Sequence, residues 1–297
     1  MISEEKGAGS RERGAGERLA ANGYRLPADR ASRIDARFGE LHASKRVALI
    51  PFVTAGDPLP DATVEIMHAL VEAGADLIEL GVAFSDPMAD GPVIQHAGER
   101  ALAKRVGVAR ILQWVRTFRA RDSATPIVLM GYLNPLEIHG IQRFAREAAE
   151  AGVDGVLVVD CPIEENAALQ PLRDAGLARI LLAAPTTSAA RLPRIAEAAQ
   201  GYLYYVSFAG ITGAARLRVP EIEARVRALR DACSVPVAVG FGVRDAAGAA
   251  AIAAFADAVV IGSALVDRLA GSADADEACA RARAFMAPIR AALDARA

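Results

Sequence analysis

Apolar and polar positions along the chain follow two periods in turn. Short, nearly continuous apolar runs occur at Val47–Val53, Leu77–Leu80, Ile127–Met130 and Gly155–Val159. They recur at Ile180–Ala183, Tyr202–Val206, Val235–Val239 and Ala258–Ile261. Runs without a polar face are the mark of parallel strands covered on both sides. Between them, apolar residues fall three and four apart, as in Ala62–Val71, in Ile111, Val115 and Phe118, and in Ile222, Val226 and Leu229. That spacing predicts helices with one buried face. Several of these segments end on Ala-Gly, at Ala73 and Gly74, Ala151 and Gly152, and Ala175 and Gly176, where glycine suits a left-handed cap.

Eight strands alternating with helices predict an α/β fold, a (β/α)8 TIM barrel. A doubly wound open sheet is the runner-up, but the first turn, Thr54–Pro58, lacks the Gly-x-Gly-x-x-Gly loop that such a sheet uses for phosphates. Two additions to the barrel are expected. Ser32–Leu41 reads as a capped helix ahead of the first strand, with Ile34, Phe38 and Leu41 on one face. The connection after strand 2, Gly81 to Ala109, is long enough for a short extra helix over Pro92–Leu102. Residues 1–31, rich in Gly, Ala, Arg and Glu, read as a flexible N-terminal extension, leaving 32–297 as the catalytic barrel domain.

Composition narrows the function classes. The 297 residues are 53% hydrophobic, enough for a large core, and the net charge of −2 gives no reason to expect nucleic acid or a membrane surface as partner. No apolar run reaches the ~18 residues of a membrane span. Cys161, Cys233 and Cys279 are odd in number and far apart, as in a cytoplasmic protein with reduced thiols. His42, His68, His96 and His139 show no metal-ligand spacing, so no metal is expected.

Two carboxylates stand out. Glu79 lies inside an apolar strand and Asp90 in the loop after it. Burying an unpaired carboxylate costs several kcal/mol or raises its pKa, which equips it to move protons near neutral pH. A structural acid paired to backbone amides or an arginine is the alternative. Glycine-bearing turns follow the last three strands, at Ser207–Gly213, Gly240–Asp245 and Ile261–Leu265, and Gly262 with Ser263 opens an apolar helix. Late loops of a barrel are where phosphate binds. Lys6, Lys45 and Lys104 are the only lysines, and none ends a strand, so an imine mechanism has no candidate. General acid–base chemistry by carboxylates remains, assisted by Tyr202, Tyr204 or Tyr205.

The segments VALIPFVTAGDP (47–58), ELGVAFSDPMADGPVIQ (79–95) and MGYLNP (130–135) resemble the tryptophan synthase alpha subunit family. So do DGVLVVD (154–160), SFAGITGA (207–214), GFGVRD (240–245) and GSALV (262–266). The resemblance implies retro-aldol cleavage of indole-3-glycerol phosphate to indole and glyceraldehyde 3-phosphate. It makes Glu79 the main acid–base group, Asp90 the acceptor for the indole N–H, and Tyr204 a positioning group. Gly213, Gly242, Gly262 and Ser263 would hold phosphate, and Phe52, Met130 and Leu157 would wall the indole pocket. Phe84–Asp90 and Gly210–Arg218 would act as lids. Asp86, Pro87, Asn134, Asp160 and Pro162 would face a beta subunit in an alpha2beta2 tetramer. Pyridoxal phosphate would belong to that partner, with no cofactor in this chain. Ala83, His96, Phe208 and Cys161 depart from the family's usual residues and bear on loop closure and coupling. Two other readings stay open: a stand-alone lyase releasing free indole, and a non-catalytic phosphate-binding barrel.

Overall fold

Each apolar run forms a strand, and the strands pair in chain order, all parallel, until the last closes on the first. The computed structural model describes residues 32–206, 219–240 and 242–295. The strands are β1 (Ala48–Thr54), β2 (Ile78–Gly81), β3 (Ile127–Gly131), β4 (Gly155–Val158), β5 (Ala178–Ala183), β6 (Leu203–Val206), β7 (Val237–Gly240) and β8 (Ala258–Ile261). The architecture is therefore a (β/α)8 barrel, as the alternation predicts. Strand β5 starts earlier than its apolar run because Ala178 and Arg179 already pair with Gly155 and Val156. Strand β7 starts later, at Val237, just past Pro236, which has no N–H to give a ladder.

The helices are α1 (Arg33–Ala43), α2 (Thr63–Glu72), α3 (Pro92–Ala103), α4 (Val108–Arg119), α5 (Leu133–His139), α6 (Ile141–Ala151) and α7 (Gln170–Asp174). They continue with α8 (Leu192–Ala198), α9 (Val219–Ala232), α10 (Ala246–Ala253), α11 (Ser263–Leu269) and α12 (Ala275–Asp294). Both expected additions are present. Helix α1 begins at Ser32, whose hydroxyl accepts from the Asp35 N–H. Helix α3 fills the long connection after β2. Gly74, Gly152 and Gly176 take φ of +93°, +92° and +76°, so the expected left-handed caps form. The extension expected over residues 1–31 lies outside the described residues.

Strand residues alternate between two cores. Outward residues such as Leu49, Ile78, Leu129 and Val156 pack under the helices. Inward residues such as Ile50, Leu77, Val128, Leu157, Ile180 and Tyr202 fill the barrel, and Ile34, Phe38 and Leu41 of α1 join them. Helix α1 therefore plugs the amino-terminal mouth and leaves the carboxyl end open for a site.

The plugged rim is laced by a repeated contact. A side-chain oxygen just before each even-numbered strand accepts the N–H of the preceding strand. Asp76 takes Leu49 N–H at 2.8 Å, Asp154 takes Ile127 N–H at 2.8 Å, Gln200 takes Arg179 N–H at 3.1 Å and Asp257 takes Val237 N–H at 2.9 Å. Guanidinium groups neutralise the three carboxylates: Arg37 and Arg290 on Asp76, Arg33 and Arg119 on Asp154, Arg230 on Asp257. These three acids are structural, each paired to a guanidinium and to a strand N–H.

Candidate active site

Glu79 sits on β2, opposite Phe52 of β1 in the strand register, and is fully buried. The Tyr202 phenol, at the start of β6 across the barrel, donates to Glu79 Oε1 at 2.5 Å. Glu79 Oε2 has no hydrogen-bond partner. Burial pushes the Glu79 carboxyl up to about 7, and the Tyr202 hydrogen bond only partly opposes that rise. Tyr202 and Tyr204 are themselves raised well above an ordinary phenol, first by burial and then by the Glu79 charge. Both tyrosines therefore stay protonated near neutral pH and can act as hydrogen-bond donors.

Above Glu79 an open cleft of about 380 Å³ is lined by Phe52, Thr54, Gly81, Met130, Tyr132 and Asp90, with loop residues 82–84 and 87 and α3 residues Ile94 and Gly98. Its lining mixes apolar side chains with the polar Thr54, Tyr132 and Asp90. Gly81 keeps the cleft open. A Cβ there would lie 2.6 Å from the Phe52 ring. Gly240 has the same relation to Tyr204, since a Cβ would stand 2.0 Å from the phenol oxygen.

Asp90 closes one side of the cleft. Burial pushes its carboxyl up to about 6, against a hydrogen bond with the Tyr132 phenol. The same phenol accepts the Ala89 N–H at 2.9 Å, and its ring lies 5.2 Å from that of Phe84. Gln95 of α3 donates to the carbonyl oxygens of Asp90, at 2.9 Å, and Pro87, at 3.3 Å. Loop 84–90 is thus held from β3 and from α3.

Gly262, after β8, borders the Phe52 side of the cleft, where a Cβ would come 3.6 Å from the Phe52 Cβ. Ser263 beside it is exposed and opens α11. Gly242, after β7, is exposed with φ of +79° and open space around its Cα. Gly213 and the loop Gly210–Arg218 lie outside the described residues, as does Phe208.

A family model described as tryptophan synthase alpha chain matches residues 38–293. The chain belongs to that family. It is 62% identical over 264 residues to the tryptophan synthase alpha chain of Xylella fastidiosa strain 9a5c, covering 89% of this chain and 98% of the relative. A Xanthomonas oryzae pv. oryzae alpha chain is 59% identical over 264 residues, covering 88% and 98%. Among solved structures, the tryptophan synthase subunit alpha of Legionella pneumophila str. Paris superposes with a TM-score of 0.83 at 42% identity, over 90% of this chain and all of that one. A Mycobacterium tuberculosis tryptophan synthase, in an aminoacrylate-bound form, gives 0.78 at 36% identity, over 89% and 100%.

The residues singled out from the tryptophan synthase alpha motifs fall into three places. Glu79, Tyr204, Asp90, Phe52 and Met130 gather at or just below the cleft. Leu157 lies deeper, fully buried with Val128, Ile180 and Tyr202, and is not part of the cleft lining. Asp86, Asn134, Asp160 and Pro162 are exposed on the rim and Pro87 half-buried. Asp160 accepts the Leu133 N–H at 2.8 Å, which joins the loops after β3 and β4.

Three features escape the sequence reading. Tyr202, named only as one of three tyrosines, is the one bonded to Glu79. Tyr132 sits inside the quoted segment MGYLNP, yet nothing local signals that its hydroxyl serves a loop from another strand. Met88 and Ile138 are 70% and 79% exposed, unusual for large apolar side chains. Among the described residues, no group of three or more His, Cys, Asp or Glu side chains could hold a metal ion. No helix among them is long and apolar enough to cross a membrane.

Proposed function

We propose that the chain cleaves indole-3-glycerol phosphate to indole and glyceraldehyde 3-phosphate, as the alpha component of tryptophan synthase. The observation that carries this reading is a buried Glu79 with its pKa pushed up to about 7 beneath an open cleft bounded by Asp90. Protonated Glu79 gives its proton to the indole C3. The ring becomes a cationic indolenine, and the ionised Asp90, accepting the ring N–H, stabilises it. Glu79, now a carboxylate, takes the proton of the side-chain hydroxyl next to the ring. The C–C bond breaks, its electrons restore the aromatic ring, and the aldehyde leaves. Glu79 ends protonated, as it began.

Tyr202 holds the carboxyl by one oxygen, which leaves Oε2 for the substrate. Tyr204, inward on the same strand, positions the reacting carbon. Phe52 and Met130 shape the space for the ring, and Leu157 backs it from the barrel core. Gly242, Gly262 and Ser263 present backbone N–H groups and a hydroxyl to the phosphate, a task also assigned to Gly213 outside the described residues, so binding far from the broken bond orients the reaction. Closure of loop 84–90 over the substrate excludes water; the segment 210–218, assigned the same role, lies outside the described residues.

A tryptophan synthase beta subunit, carrying pyridoxal phosphate, takes the indole. It docks on the rim at Asp86, Pro87, Asn134, Asp160 and Pro162 in an alpha2beta2 tetramer. The exposed Met88, on the loop after β2, and Ile138, on α5, add apolar area. This chain needs no cofactor of its own and works in the cytoplasm, with residues 1–31 outside the catalytic barrel. The test is glyceraldehyde 3-phosphate release by the chain with its beta partner. Glu79→Gln should lower turnover at least ~100-fold, the lower range for lost acid–base catalysis. Near-normal turnover would remove Glu79 from its role.

A further inference from the structure

One polar atom in the cleft has no assigned task. Thr54 ends β1 on the inward face, in register with Gly81, two residues beyond Phe52. Its side chain lines the same cleft as Asp90 and is only 4% exposed. Its Oγ1 has no hydrogen-bond partner. A buried hydroxyl left unpaired is destabilising, and valine would fill the same volume without that cost. Phe52, Gly81, Met130 and Val159 give the cleft apolar walls, and Asp90 and Tyr132 are its other polar side chains. The hydroxyl is thus buried and unpaired in a residue that lines the cleft, and a polar group entering there would supply its missing partner.

We propose that Thr54 is a specificity-determining contact for the ring: its hydroxyl pairs, directly or through one water, with the polar N–H edge that Asp90 also binds. A hydroxyl can accept from a ring N–H and donate to a carboxylate at once, so it bridges the two members of that pair. A site built to pair a polar edge discriminates against an analogue of equal shape that lacks it, because the site's own groups are then stranded. The ligand class is a bicyclic aromatic with one N–H on its edge. This inference rests on the proposed lyase reading and deepens it.

The experiment compares Thr54→Val, which keeps the shape and loses the hydroxyl, with Thr54→Ser, which keeps the hydroxyl. Binding of indole and of benzothiophene, a bicycle of similar shape without the N–H, is measured by calorimetry on each protein, together with turnover of indole-3-glycerol phosphate. Thr54→Val should bind indole about tenfold more weakly, the cost of one hydrogen bond, with benzothiophene unchanged within twofold. Thr54→Ser should restore indole binding, and KM should rise in Thr54→Val more than kcat falls. An unchanged ratio of indole to benzothiophene affinity in Thr54→Val overturns the proposal, as does equal weakening of both ligands in the two variants. Lack of turnover in the unsubstituted chain with its partner would instead count against the lyase reading.

Discussion

Tyr202 and Glu79 are joined across the barrel by a 2.5 Å hydrogen bond between β2 and the start of β6, and one carboxyl oxygen is left without a partner. On its other side Tyr202 meets the α1 plug, with its ring 6.0 Å from that of Phe38. The Glu79 carboxyl is thus supported from the closed end of the barrel and keeps one buried oxygen without a partner. Charge, not geometry, is what this arrangement makes costly.

That cost is visible in stability against pH. The Glu79 carboxyl ionises near 4.5 when unfolded and near 7 when folded, so between those values the folded chain holds the extra proton. Its stabilising contribution is complete below 4.5 and is lost as pH rises through 7, by about 3 kcal/mol in all. Asp90, also raised, adds in the same direction. Urea denaturation at a series of pH values should show Glu79→Gln more stable than the parent at pH 8, with the gap closing toward pH 4.5. A gap independent of pH would mean that the carboxyl is not desolvated as the structure has it.

In the proposed mechanism the same two groups set the rate. Cleavage begins from ionised Asp90 and protonated Glu79, so kcat/KM should rise through about 6 and fall through about 7. The Tyr202 hydrogen bond holds Glu79 lower than burial alone would. Tyr202→Phe should therefore move the alkaline limb upward while Asp90 keeps the acid limb in place. Steady-state rates between pH 5 and 9 would detect this. A downward move of the alkaline limb would reverse the roles assigned to the carboxyl's two charge states.

Gly240 leaves the space that the Tyr204 phenol fills. A methyl group there would overlap the hydroxyl oxygen at 2.0 Å and the ring carbon behind it at 2.4 Å. Gly240→Ala should displace the Tyr204 ring, at an overpacking cost of about 1–3 kcal/mol. Turnover should fall at least ~10-fold as the reacting carbon loses its support. Gly240→Ala combined with Tyr204→Phe should relieve part of the overlap and recover stability but not rate. Recovery of both would show that Tyr204 fills space and nothing more.

The barrel is legible in the sequence because β1 to β8 are buried on both faces and therefore appear as apolar runs, with glycine caps marking where helices stop. Glu79 is legible for the same reason, as an acid inside such a run. The choice among tyrosines is not. A period of two places Tyr202 and Tyr204 together on the inward face of β6, but which hydroxyl reaches β2 depends on the stagger of strands around the closed sheet. Tyr132 is hidden in the same way, since its bond to Asp90 joins the end of β3 to a loop that follows β2. Thr54 reads as an ordinary β-branched strand residue until its hydroxyl is found without a partner.

Asp76 tests the division of labour between the two ends of the barrel. It is buried, accepts the Leu49 N–H, and is paired to Arg37 at 2.6 Å and Arg290 at 2.9 Å. Removing the carboxylate strands the buried Arg290 guanidinium and an N–H of the first strand, which should cost about 3–5 kcal/mol. Asp76→Ala should lower the urea midpoint accordingly, while the fraction still folded cleaves substrate at the parental kcat. Asp76→Asn, able to accept the Leu49 N–H but not to neutralise the arginines, should fall between the two. A loss of kcat in the folded fraction of either variant would mean that the rim acid reaches the chemistry through β2, two residues before Ile78 and three before Glu79.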